Sequence, residues 1–459
     1  MRLRKADLRA RVNADYALRF DAGALTSYAG LELVRRYFRT LDLGAILRRH
    51  LDGRLPGTDF GVASLVLLLL ALMITGGRRL RHLLFFEGDP LVLRLCGLRR
   101  LPSARTVGRW LAQMTCKTLA ALHRVNEELV ARAIEHSAIS RLTIDIDGTV
   151  VSTGLRVERA QRGYNPHHRK VPSYYPITAY EAGSGQILRV LNRSGNVHDG
   201  KASIGFLRDL FAQIQATLPG RRAIEFRMDG AFFRRDVINL IEGKKAEYAI
   251  KVPFYRWVGL KELIRANRVW DRVADGIDCF EEDIALAPWD RCLRVVIYRK
   301  RVGHMSPKNY QLDLFDPSDG HWEYSAVVTN KTLTGRNLWY YMCGRGCHEK
   351  ILAELKSGYA FDCIPTMKYA ANGAWQILNV LAFNLMRGMQ ATTTAVTREI
   401  GRSRNCGYVF ETIQTIRYTW LRRAGIVARP GGRAVLDVGN NDAVRLRFQR
   451  IADRLAEAA

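Results

Sequence analysis

Residues 141–152, RLTIDIDGTVVS, constrain the fold of this 459-residue chain more than any other stretch. Leu142, Ile144 and Ile146 alternate with Thr143, Asp145 and Asp147, the period-two signature of a strand with one apolar and one polar face. Two further strands follow in YYPITAYEA and GQILRVLNR, with Ser184–Gly185 placed to turn a hairpin between them. An amphipathic helix over GKASIGFLRDLFAQIQATL, the apolar strand AIEFRMDG, a helix over RRDVINLIEG and the strand AEYAIKV complete the series. Three strands, then helix, strand, helix, strand predict an α/β fold with a mixed sheet.

The flanks differ in texture. Residues 1–138 read as a helical domain, with apolar positions at helical spacing through LELVRRYFRTLDLGAILRRHL. Within it, Ser103 is placed to cap a helix whose Arg105 and Arg109 share one side. That segment fits a helix-turn-helix-like DNA contact and equally a solvated charged face. Residues 139–252 hold the strand series, and 253–328 break into short β-prone segments between turn residues, an inserted β-rich subdomain. Helical pattern returns over 329–395, and 396–459 form a basic C-terminal region.

Charge narrows the partner. Seventy-one Lys and Arg against 44 Asp and Glu leave +27, a surplus that repels itself in the folded state and points to a polyanion. Nucleic acid is the expected partner, and no membrane is. The basic residues are spread along the chain, and the uncharged apolar run, about Phe60 to Ile74, is shorter than the ~18–20 residues that span a bilayer. A charged opening, MRLRKADLRARVNADY, lacks a leader's apolar segment. The eight cysteines are scattered without a framework, which suits reduced thiols in a cytoplasm.

Asp147 and Asp229 close their strands, where ligands of α/β sheets collect. Each alone reads as a turn former or helix cap. A third acid changes the weighing. In CGRGCHEKILAELKSG, residues 343–358, Arg345, Glu349 and Lys356 fall within about 40° of one another on a helix turning ~100° per residue. An Arg placed four residues before a Glu is the weaker order for helix pairing. One acid between two bases is better explained by a carboxylate holding a cation while the bases hold phosphates. Cys343, Cys347 and His348, by contrast, match neither haem attachment nor a four-ligand zinc site; the cysteines read as packing residues.

The spacing R-x3-E-x6-K resembles the Tyr-x2-Arg-x3-Glu-x6-Lys signature of bacterial insertion-sequence DDE transposases. DIDGTVVSTG and RMDGAFFRRDVINLIE resemble that family's first- and second-acid segments, and the likeness runs over roughly residues 60–395. The resemblance implies an RNase H-like core, its first part in 139–252 and its second, carrying Glu349, in 329–395, with the β-rich subdomain between. It implies Asp147, Asp229 and Glu349 as catalytic metal ligands for Mg²⁺, with Mn²⁺ able to substitute. Asp145, on the same strand face, is the alternative first acid. Arg345 and Lys356 would contact DNA phosphates. The signature tyrosine falls on Met342, and the adjacent Tyr341 is the candidate replacement. The implied function is cleavage at transposon terminal inverted repeats and strand transfer into target DNA, by a homodimer on the DNA. An inactive DNA-binding protein of the same fold and a stand-alone RNase H-like nuclease are the alternatives.

Overall fold

The computed structural model describes residues 3–12, 15–163, 170–197, 200, 202–218, 220, 222–302 and 321–458. Nine strands form its main sheet: β1 (Arg141–Gly148), β2 (Ile177–Glu181), β3 (Gln186–Leu191), β4 (Ala223–Met228), β5 (Glu247–Lys251), β6 (Asp271–Ala274), β7 (Ile277–Leu286), β8 (Arg291–Arg301) and β9 (Trp322–Thr329). Their spatial order is β3-β2-β1-β4-β5-β9-β8-β7-β6. Strands β1, β2 and β3 pair antiparallel, whereas β4 lies parallel to β1 and β5 parallel to β4. The order 3-2-1-4-5 with its second strand reversed is that of RNase H-like cores. The chain is an α/β protein built on such a sheet.

The β-rich segment does not stack as a separate layer. Strand β9 pairs antiparallel with β5, and β8, β7 and β6 follow outward from it. The β-rich segment therefore prolongs the main sheet past its fifth strand. Residues 303–320 of this segment lie outside the described residues, as do 164–169 and 198–199, within RGYNPHHR (162–169) and NVHDG (196–200).

Eight helices position the site: α1 (Val62–Thr75), α2 (Cys116–His136), α3 (Ser203–Thr217), α4 (Arg235–Gly243), α5 (Gly335–Cys343), α6 (Gly346–Tyr359), α7 (Tyr369–Thr393) and α8 (Asp442–Glu457). The alternation along β1 divides the packing. Leu142, Ile144 and Ile146 join Phe226 and Met228 of β4 in a core closed by Phe206, Leu207 and Leu210 of α3 and Val237, Ile238 and Ile241 of α4. The polar side of β1 faces α5 and α6 instead.

A second core gathers α1, α2, α7 and α8. Helix α1 is apolar around its whole circumference because it is buried on nearly every side. No single described helix is long and apolar enough to cross a membrane. Helix α7 is buried over most of its 25 residues, so its polar groups need internal partners. Asn384 accepts from the Ile187 amide at 2.9 Å and donates to the Ile187 carbonyl and to Asn126 Oδ1, both at 2.8 Å. These bonds close the outer edge of the sheet at β3, where unpaired backbone would otherwise stand.

The basic C-terminal region enters the same core through Ile413, Ile416, Trp420, Leu421, Ile451 and Leu455. Arg417 donates to the carbonyls of Met73, Ile74 and Gly358 at 2.7, 2.8 and 2.6 Å, and the Ile413 amide donates to Glu354 at 2.8 Å. The last sixty residues thus clamp α6 to the end of α1.

Candidate active site

The parallel register between β1 and β4 sets Thr143 opposite Glu225, Asp145 opposite Arg227, and Ile146 opposite Met228. Continuing it by one residue brings Asp147 level with Asp229. The strand alternation then places three polar pairs in a row on the face beneath α5 and α6. Depth decides what each pair does.

The deepest pair is structural. Glu225 is fully buried and accepts from Thr143 Oγ1 at 2.5 Å and from Lys331 Nζ at 2.7 Å, with Arg141 at 3.2 Å and Arg404 at 3.5 Å. In the middle, Arg227 grips Asp145 bidentately at 2.5 and 2.7 Å, both side chains wholly enclosed. Its remaining donors meet the carbonyls of Tyr341 and Ser403 at 3.0 and 2.6 Å. Burial pushes the Asp145 carboxyl up against the opposing pull of Arg227. Every oxygen of Asp145 is engaged below the surface by Arg227.

The uppermost pair opens to solvent. Asp147 Oδ1 accepts from the amide of Gly148 at 2.9 Å, and Asp229 Oδ1 accepts from that of Gly230 at 2.6 Å. One oxygen of each is thereby fixed, and Oδ2 of each turns toward Arg345. Arg345 Nη2 stands 3.1 Å from Asp147 Oδ2 and 3.9 Å from Asp229 Oδ2, while Nη1 lies 4.0 Å from Glu349 Oε1. The structure therefore brings Asp147, Asp229, Arg345 and Glu349 together, from the ends of two strands and the start of α6. Asp147 is 18% exposed, Asp229 51% and Glu349 69%. Burial works against the charge on Arg345, yet Asp147, Asp229, Asp145 and Glu349 hold its pKa above the ordinary value.

Helix α6 reaches this place through two contacts. The chain does not run as one helix through residues 343–358, because α5 ends at Cys343 and α6 begins at Gly346. At Gly344, a side chain would overlap the Ser403 carbonyl and the Arg227 guanidinium. Only glycine lets the backbone pass so close. One turn on, His348 is fully buried, bonds Thr178 Oγ1 at 2.9 Å and stacks on Tyr180 at 5.4 Å. Thr178 is the residue opposite Asp147 in β2. Burial and the nearby Arg345 and Arg227 push the His348 pKa down to about 3, so the ring that docks α6 beside Asp147 is neutral.

Lys356 follows two turns along α6, partly buried, its pKa lowered by burial against the pull of Asp362. Its carbonyl and that of Ser357 accept from Arg78, which also pairs with Asp362 at 2.7 Å. Tyr341 is a correction. It is only 1% exposed, with Arg227 and Lys331 over its ring at 5.3 and 5.1 Å. Its hydroxyl is enclosed without a hydrogen-bond partner, so it packs the charged layer and does not replace the missing signature tyrosine at a phosphate. Met342 instead lines an open groove with Lys251, Lys300, Tyr324, Trp339 and Glu349.

Among the described residues no three His, Cys, Asp or Glu side chains approach closely enough to hold a metal ion between them. Cys343 is exposed and Cys347 contacts Asn405 Oδ1 at 3.4 Å; the eight cysteines are all unpaired. The donor set of Asp147, Asp229 and Glu349 has the chemistry of a hard divalent cation site, but the point the three share holds the Arg345 guanidinium. Arg227 was missed in the sequence, although an arginine inside the apolar strand AIEFRMDG, two residues before Asp229, is a signal for a buried counter-charge.

A profile described as transposase DDE domain group 1 matches residues 9–459. Among solved structures, the piggyBac transposase in a synaptic complex with hairpin DNA is similar at 10% identity and a TM-score of 0.43, over 88% of this chain and 76% of that one. The Mos1 transposase paired-end complex with the left transposon end is similar at 12% identity and a TM-score of 0.19, over 39% and 56%. Comparison with curated protein sequences returns no match.

Proposed function

The chain belongs to the transposases with a DDE domain of group 1, and from that premise we propose that it cuts DNA at the ends of a mobile element and joins those ends to target DNA with the help of Mg²⁺. The observation that carries the proposal is the convergence of Asp147, Asp229 and Glu349 on one guanidinium at the carboxyl end of the sheet. These three carboxylates would hold the divalent ions, which, when bound, activate the attacking hydroxyl and neutralise charge on the phosphate. The protein's own groups prepare that geometry. The amides of Gly148 and Gly230 aim the Oδ2 atoms of Asp147 and Asp229, and His348 fixes the pitch of the helix that carries Glu349.

Arg345 and Lys356 are proposed to receive DNA phosphates on either side of Glu349. The exposed Arg105 and Arg109, on a helix capped by Ser103 (Ser103 Oγ to the Thr106 amide, 3.1 Å), are proposed to grip the flanking duplex. A homodimer that pairs two element ends, working in the cytoplasm, completes the proposal, and Mn²⁺ would replace Mg²⁺.

The test is strand cleavage of an oligonucleotide carrying the inverted repeat that flanks the gene, followed by joining of a pre-cut end. Asp147→Asn, Asp229→Asn and Glu349→Gln are each expected to lose cleavage and joining while binding the oligonucleotide as before. Any one of the three retaining wild-type cleavage overturns the assignment. Cleavage without joining would leave a nuclease in its place.

A further inference from the structure

Two arginines stand in the charged layer under α6, and they are held in opposite ways. Arg227 spends Nε, Nη1 and Nη2 on a bidentate carboxylate and two carbonyls, all between 2.5 and 3.0 Å. Arg345 is nearly as enclosed, 14% exposed, yet its Nε has no hydrogen-bond partner. Two of its three ion pairs lie at 3.9 and 4.0 Å, beyond hydrogen-bond range. Its position is thus set by the summed field of three acids, with the Asp147 contact at 3.1 Å alone among these pairs short enough for a directed bond. Asp229 and Glu349, which it holds at the longer distances, are also the two more exposed acids.

We infer that Arg345 is a resident stand-in for the divalent cation: it neutralises Asp147, Asp229 and Glu349 while no metal is bound, and entry of the metal releases it toward a DNA phosphate. The inference rests on the reading of the three acids as metal ligands. It follows from charge balance. Without a cation, three carboxylates facing one point repel each other, and among the described residues the positive group reaching all three is Arg345. With a divalent ion among the same oxygens, a guanidinium at that point is repelled and its pairings are lost. The nearest anion then on offer is the substrate backbone. Metal loading and the grip on DNA become linked through one side chain, and the linkage acts equally in both directions.

The experiment is Mn²⁺ binding to the full chain without DNA, followed by electron paramagnetic resonance, for wild type, Arg345→Gln, Asp147→Asn and the double variant. Arg345→Gln is expected to bind Mn²⁺ about tenfold tighter or more, because three weak pairings no longer have to be given up together. Asp147→Asn is expected to remove the binding in either background. Arg345→Gln binding Mn²⁺ no tighter than wild type, with Asp147 still required, overturns the stand-in and leaves the metal site intact. Binding indifferent to Asp147 in every form overturns both.

A second measurement uses the unaltered protein, in case the glutamine variant does not fold. Arginine-directed dicarbonyl labelling, mapped by peptide mass, is expected to find Arg345 protected without metal and several-fold more reactive with Mn²⁺. Unchanged or reduced reactivity on adding Mn²⁺ refutes the release.

Discussion

Asp145→Ala distinguishes the two aspartates that share the polar face of β1. In the native protein Arg227 and Asp145 form a bidentate pair at 2.5 and 2.7 Å with no exposure on either side. Removing the carboxylate strands a guanidinium whose remaining acceptors are the Tyr341 and Ser403 carbonyls at 3.0 and 2.6 Å. Breaking a buried pair by deleting one partner costs about 3–5 kcal/mol. The two surviving carbonyl bonds place the expectation at the lower end, about 3 kcal/mol, or roughly a 150-fold shift in the folding equilibrium. Asp147→Ala, further up the same face of the strand, loses a partly exposed pairing with Arg345 and the bond from the Gly148 amide and is expected to cost less, about 1 kcal/mol. Urea unfolding followed by tryptophan fluorescence reads the two side by side, with strand cleavage measured on the same preparations. The expected pattern is a lowered midpoint for Asp145→Ala and a near-native midpoint with no cleavage for Asp147→Ala. Asp145→Leu combined with Arg227→Met is expected to recover most of the midpoint, since an apolar pair of like volume replaces the ions. The reasoning fails if Asp145→Ala unfolds like wild type and yet has lost cleavage.

Gly344→Ala forces a methyl group into the Ser403 carbonyl and Arg227 and is expected to cost about 1–3 kcal/mol, read as a lower unfolding midpoint together with reduced cleavage from a displaced Arg345. His123 of α2 is buried, and burial with Arg189 pushes its pKa from 6.5 down to about 3. Between those two values the unfolded chain takes up a proton that the folded one refuses. Stability should therefore fall as pH drops through this window, by up to about 1.4 kcal/mol per pH unit, and His123→Leu should flatten the slope of midpoint against pH. Arg105→Ala and Arg109→Ala remove exposed charges from the helix Ala104–Ala112; each should weaken DNA binding at all sequences and lower the slope of log affinity against log salt by about one. An unchanged slope would make that helix a solvated face.

The sheet was legible because strands announce themselves by alternation. Leu142, Ile144 and Ile146 turn to the core, and Thr143, Asp145 and Asp147 to the polar side, as the period of two requires. Ser103 as a cap followed equally from local chemistry. The spacing of Arg345, Glu349 and Lys356 survived a break that the sequence did not reveal, because Gly344 and Arg345 keep right-handed helical dihedrals between the two helices. What was not legible depends on register and on distant neighbours. The Asp-Gly-Thr context favours Asp147 over Asp145 in the sequence, but their different depths follow from the opposing residue in β4, Arg227 against Asp229. Tyr341 looked available because it neighbours the signature position, but helix α5 rolls it onto Lys331 and Arg227. The joining of the C-terminal residues to the N-terminal helices rests on Arg417 finding carbonyls more than 340 positions away, a contact that no window of sequence can hold.

That joining governs when the enzyme can exist during its own synthesis. Domains form from the N-terminus as the chain leaves the ribosome, so the strands bearing Asp147 and Asp229 emerge early and can pair while Glu349 is still unmade. The fastening of helix α6 is completed once Ile413 and Arg417 have arrived to hold Glu354, Gly358 and the end of α1. A nascent or prematurely terminated chain would carry the sheet and most of the positive charge, able to meet DNA, with its third acid unmoored.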